Sequence, residues 1–292
     1  MKGLVLFIAV LLSPYMKAAE VRTSGDSSNE ILWINGEIRE GVNAEVKKQI
    51  RARGRLPDRV LISSPGGNVE EAIKLGQFFR DSFITVIPNG VCNSACALLV
   101  LSSPIYVNDE SLIGLHRPYF MPDVYRDVSL NDAKSLHENL ERKFRAYLRK
   151  MGVGEGIIEK ALSKSSQDIW QITMQDFVEL NGQPSHIQEW LKARCPPLTS
   201  EEESGVETLL AYDSFLHFVE NCPEYLDSGR FNPDNGSCRL ARFYHQGYRE
   251  ALKLGAEGRA RIRERSEQAM TCQDDAIQSA RVEFLKTTSF FE

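Results

Sequence analysis

Three short stretches of the 292-residue chain carry polar residues or glycines where a packed layer of strands and helices has no use for them. Ser64-Pro65-Gly66-Gly67 follows the apolar run Arg59 to Ser64, and its glycines let the backbone turn sharply and present bare N–H groups to a ligand. The same glycines would serve any tight strand-to-helix turn. Gly90-Val91-Cys92-Asn93-Ser94-Ala95-Cys96 places a hydroxyl where a strand gives way to a helix. Unpaired N–H groups and the helix dipole favour developing negative charge there, so Ser94 is either an N-cap or a nucleophile. Gly114-Leu115-His116-Arg117-Pro118 ends an apolar run on an imidazole, either a packed strand-end residue or a general base. Serine, base and backbone donors together are the constellation of acyl transfer.

That constellation requires the three stretches to share one edge of the molecule. From Glu30 to about Gly182 the pattern is alternating strands and helices, which predicts an α/β fold with a mostly parallel sheet and right-handed crossovers. Ile31 to Ile38, Arg59 to Ser64 and Phe83 to Pro88 read as strands. Between them, Asn43 to Arg53 is helical, and a second helix starts at Asn68 as N-cap with Glu70 and Glu71 in its first turn. A third helix begins near Ser94 and runs through Leu101. Pro104 to Asn108 and Ser111 to Pro118 are strand-like, and Asn131 to Met151 is a long amphipathic helix ended by Gly152 and Gly154. Ile169 to Thr173 reads as a short strand, and Thr173 with Asp176 as a capping box opening a helix that stops at Asn181-Gly182. In such a layer the strand C-termini gather on one edge, where Ser94, His116 and the Gly66-Gly67 turn would meet.

SSPGGNVEEAIKLGQFFR, GVCNSAC and IGLHRP, in this order, resemble the proteolytic subunit of the Clp protease, and most of all its secreted, periplasmic ClpP-like branch. The resemblance covers Glu30 to Gly182 and implies the crotonase-like spiral of βαβ units. It implies Ser94 as nucleophile, His116 as general base, and the N–H groups of Gly67 and Ala95 as oxyanion hole. Pro65, Gly66 and Asn68 would line the substrate. Asp168 is the nearest match to the family's third catalytic acid, one residue out of register, and Asp176 reads better as a helix cap. Unlike the family pattern, Cys92 and Cys96 bracket Ser94 four residues apart. A disulfide fits one helical turn, since bridged Cα atoms stand about 4.4–6.8 Å apart. Two packed thiols, or a three-ligand zinc site with His116, are the alternatives.

Lys2, the apolar run Gly3 to Leu12 and the small residues Ala18 and Ala19 read as a secretory signal over residues 1–19, with an uncleaved anchor as the alternative. Cysteine usage then belongs to an oxidising compartment such as the bacterial periplasm. Cys195, Cys222, Cys238 and Cys272 allow three pairings, of which Cys222–Cys238 is the first choice because it flanks a turn-rich stretch. The organisation expected is an α/β domain over 20–190, a linker over 191–204 and a helical, cysteine-containing module over 205–292. A formal charge of −5 without a long basic run argues against coating nucleic acid.

Two functional readings follow. One is an exported serine hydrolase, a peptidase acting on peptides or unfolded segments, needing no cofactor or metal. No ATPase partner is expected outside the cytoplasm, and a homo-oligomer is consistent with the family. The other is a non-catalytic peptide- or protein-binding module on the same fold. Acyl-thioester chemistry shares the oxyanion logic, but its cofactors belong to the cytoplasm.

Overall fold

A computed structural model describes residues 18–25, 30–104, 112–165, 167–172, 176, 185–232 and 234–291. The described residues up to 188, together with 280–291, form one compact unit, and 189–279 form a second. Of the segment expected as a secretory signal over residues 1–19, only Ala18 and Ala19 are described, and Ala19 N–H donates to Glu37 O at 2.9 Å; the strand expected after Pro104 lies outside the described residues. Of the helix expected from Thr173 to Asn181, only Asp176 is described; it takes an ion pair from Lys160 Nζ at 3.2 Å.

The first unit is α/β. Its six strands are β1 (Glu20–Ser24), β2 (Ile31–Asn35), β3 (Arg59–Ser64), β4 (Thr85–Asn93), β5 (Leu112–Leu115) and β6 (Trp170–Gln171), lying side by side in chain order. β2 to β5 pair in parallel, and β1 and β6 close the two edges antiparallel, so the sheet is mixed. Helices α1 (Val42–Arg53), α2 (Val69–Asp81) and α3 (Ala95–Leu101) make the crossovers between the parallel strands. A 21-residue helix, α4 (Leu130–Lys150), and α5 (Glu155–Leu162) follow β5. β4 runs five residues past Pro88, because Val91 to Asn93 pair with Leu112 to Gly114 and Cys92 pairs with Ser64 beyond a register shift.

One face of the sheet is fully buried: Leu32, Ile34, Val60, Ile62 and Val86 alternate with the partly buried Trp33, Leu61 and Ile87 of the other face. α3, ACALLVL, is apolar all round, and every one of its residues is buried. Its far end is pinned by the buried Arg80, whose Nε donates to Ser102 O at 2.6 Å and whose Nη2 donates to the carbonyls of Leu101, Ser103 and Met151. These bonds supply partners to carbonyls that a helix end leaves open. Tyr147 of α4 donates to Leu98 O at 2.9 Å and packs where a side chain on Gly76 would stand. α3 is thus a fixed mount for whatever sits at its entrance.

The second unit is helical. α6 (Ser185–Lys192) leads into it, followed by α7 (Ser200–Val219), α8 (Pro223–Ser228) and α9 (Gly236–Lys253). α7 starts inside the acidic stretch expected to be linker, because Thr199 and Glu202 form a reciprocal capping box. Phe215, Tyr225, Phe231 and Tyr248 ring His245 between the helices. Disulfides Cys195–Cys272 and Cys222–Cys238 brace this unit.

The last helix, α10 (Gly255–Thr287), begins in the second unit, but residues from 280 onward count with the first, a placement that nothing in their composition signals. Phe290 stacks on Phe78 with ring centroids 5.2 Å apart, and Phe284 meets the same ring edge-on. Arg281 is buried against the turn before β3, donating to Pro57 O at 2.7 Å and Leu56 O at 3.2 Å. Among the described residues no helix is long and apolar enough to cross a membrane. Three disulfides agree with an oxidising compartment.

Candidate active site

Ser94 follows the last residue of β4 and opens α3 with φ 57° and ψ −121°, a conformation that L side chains rarely adopt. Such a residue stores about 1–3 kcal/mol of strain and persists only where its surroundings over-determine it. Its side chain makes no cap hydrogen bond, so the N-cap reading of the hydroxyl does not hold. A strained strand-to-helix turn that lifts a serine off the sheet edge is the geometry of a nucleophile elbow.

Several features hold the turn. Ser94 N–H donates to Gly114 O on β5 at 2.7 Å, continuing the parallel ladder past the end of β4. Cys92 and Cys96 are joined by a disulfide with Cα atoms 5.1 Å apart, one residue out on each side of Asn93-Ser94-Ala95. Both half-cystines are fully buried. The zinc alternative falls with this bond, because it consumes both thiolates, and no cluster able to hold a metal occurs among the described residues.

The Gly66-Gly67 turn lies against the same point. Both glycines have positive φ, 111° and 138°. Ile38 N–H donates to Gly66 O at 2.8 Å and Asn68 N–H to Ile38 O at 2.7 Å, so the turn pairs with the chain after β2. Any side chain on Gly67 would stand 2.1 Å from Ile38 O. The exposed Gly67 keeps its N–H without a partner among the described residues. The Ala95 N–H, first of α3, has no acceptor within its helix. Asn68 is the N-cap of α2, accepting from Glu71 N–H at 3.0 Å, and Pro65 is exposed.

His116 follows β5, the strand beside β4, and is 5% exposed. Its Nδ1 stands 2.8 Å from Arg117 O. A carbonyl oxygen can only accept, so Nδ1 carries a proton, and in the neutral ring Nε2 is the nitrogen with the lone pair. That is the tautomer of a general base, fixed by a backbone group. Among the described residues no hydrogen bond joins Nε2 to Ser94 Oγ.

Asp168 makes no hydrogen bond to His116. Its exposed carboxylate pairs with Lys164 Nζ at 3.4 Å, and its N–H caps back to Ser165 O. Arg117 O therefore occupies the position at the imidazole that the acid was expected to take. Spacing in the sequence could not reveal this partner, since every residue carries a carbonyl.

Comparison of the chain with models of known protein families and with curated proteins returns no match.

Proposed function

We propose that this protein is an exported serine hydrolase, a ClpP-like peptidase built on the crotonase-like spiral and acting on short peptides or unfolded segments. The observation that carries this reading is Ser94 itself, strained at φ 57° and without a cap hydrogen bond at the entrance of a buried helix. Ser94 Oγ attacks the scissile carbonyl and its proton passes to His116 Nε2. The N–H groups of Gly67 and Ala95 receive the oxyanion, each such donor being worth about 3 kcal/mol in the transition state. Collapse expels the amine, which takes the proton from His116. Water, deprotonated by the same imidazole, then hydrolyses the acyl-enzyme and frees Ser94. Arg117 O holds the base in place of an acid, which makes the machinery a serine–histidine dyad. Export to the periplasm agrees with the apolar N-terminus and with all six cysteines being bridged.

That no hydrogen bond joins Ser94 Oγ to His116 Nε2 among the described residues favours a second reading, a peptide-binding module without turnover. A fluorophosphonate probe on the oxidised protein separates the two. Covalent label on Ser94, lost in Ser94→Ala and His116→Ala, is expected for the hydrolase. No label on folded protein, with peptide binding retained in Ser94→Ala, selects the binding module.

A further inference from the structure

Ser94 has a hydroxymethyl side chain in a backbone conformation suited to glycine, and the nearest covalent constraint is the Cys92–Cys96 bridge. The bridge closes a ring of five residues with Ser94 at its centre. One half-cystine is the end of a strand ladder, paired with both Ser64 and Ile113, and the other is in the first turn of the buried α3. The two ends of the ring thus belong to different elements, and the bridge fixes the separation between them. Besides the bridge, Ser94 makes two backbone hydrogen bonds, its N–H to Gly114 O and Ala97 N–H to its own carbonyl, the second opening the α3 ladder. Only the first crosses to another strand, so relaxing Ser94 to an ordinary conformation sacrifices little else.

We propose that Cys92 and Cys96 are positioning residues and that forming their disulfide is the step that assembles the Ser94 turn. With two thiols, Ser94 relaxes and its side chain leaves its place beside Gly66 at the entrance of α3. Oxidation removes two electrons and two protons from the thiols. They pass to a disulfide-bearing oxidant, which is reduced to two thiols as the Cys92–Cys96 bond forms. The chain is then inert while its cysteines are reduced and acquires its reactive serine on entering an oxidising compartment. Full burial of both sulfurs keeps the finished bond from casual reduction, so this is a one-way assembly step. The loss of reactivity rests on the hydrolase reading; the assembly of the turn does not.

The test uses full-length oxidised protein, the double variant Cys92→Ala/Cys96→Ala, and Cys222→Ala/Cys238→Ala as a comparator that loses a bridge elsewhere. Hydrogen exchange across residues 92–98 reads the turn directly, and fluorophosphonate labelling reads the serine. Without the Cys92–Cys96 bridge, exchange at Ser94 and Ala97 is expected to speed up at least tenfold and labelling to fall at least tenfold, with exchange in β3 unchanged. The comparator should change neither readout at 92–98. Adding Ser94→Gly to the bridgeless variant should restore protection at Ala97, because glycine holds the turn without strain, whereas adding Ser94→Ala should not. Unchanged exchange in the bridgeless variant, or equal rescue by glycine and alanine, overturns the proposal. If the wild-type protein takes no label, the hydrolase reading fails and the exchange data alone decide the clamp. If the bridgeless variant does not fold, the same variant carrying Ser94→Gly is expected to fold, and its failure also overturns the proposal.

Discussion

Gly66 lies so close to Ser94 that a methyl group on its Cα would stand 2.7 Å from the serine Cβ and 2.8 Å from Asn93 O. The close approach brings the turn after β3 to the foot of the turn after β4 and leaves no room for a side chain at Gly66. Gly66→Ala meets both the overlap and a φ of 111°. Left-handed strain of this kind costs about 1–3 kcal/mol before the overlap is counted. Gly90→Ala is the control, with φ 98° and only Ser63 Oγ nearby at 3.6 Å. Urea midpoints should fall for both variants, and Ser94 labelling should be lost only in Gly66→Ala.

The carbonyl partner of His116 predicts an unusual tolerance. In a triad that depends on its acid, the amide replacement costs about 10⁴-fold in turnover. Asp168→Asn should instead lower the labelling rate of Ser94 by less than about threefold, because its carboxylate pairs with Lys164 and not with the imidazole. His116→Gln should abolish labelling. A loss of a thousandfold or more in Asp168→Asn would assign the orienting role to that acid.

Arg281 ties the chain's last residues to the first unit through Leu56 O, Pro57 O and an ion pair to Asp58 at 3.5 Å. Arg281→Ala leaves those two carbonyls without their charged donor, at about 1–3 kcal/mol for each buried group left unpaired. Equilibrium unfolding followed at the α/β unit should register this loss. Truncation after Ser279 should exceed it, since the contacts of Phe284 and Phe290 with Phe78 go as well.

The capping box of α7 carries a pH signature. Glu202 is held below the ordinary carboxyl value, chiefly by the hydrogen bond from Thr199 N–H, with Arg265 adding to it. A depressed folded-state value means the contribution is complete above the unfolded value of about 4.3 and disappears as pH falls through the lower folded value. Thermal midpoints of the wild type should therefore drop more between pH 5 and pH 3 than those of Glu202→Gln. Parallel curves would remove Glu202 from the acid response.

Much of the local structure was written in the residue order. The strand RVLISS, the helix capped by Asn68 and the apolar α3 follow from periodicity and capping, because those depend on neighbours one to four residues away. The spacing Cys92-x-Ser94-x-Cys96 pointed to a bridge one helical turn long, and Cys222–Cys238 to another across a turn. Less visible were α5 and α8, too short to show a period, and β1, whose EVRTS sequence has no apolar alternation.

Residue types alone established that a serine, an imidazole and two glycines follow strands of one parallel set, and that six cysteines can pair completely. Only the tertiary structure decided that Ser94 sits at positive φ, that Gly66 packs beneath it, and that a backbone carbonyl holds His116. It also decided that Asp168 turns to Lys164 and that residues 280–291 return to the α/β unit. The physical reason is that the Gly66 approach and the return of residues 280–291 need partners from other segments, while the Arg117 carbonyl and the Lys164 pair are local but set by the path of the backbone. Backbone groups and close approaches have no letter in the sequence, whereas periodicity and capping do.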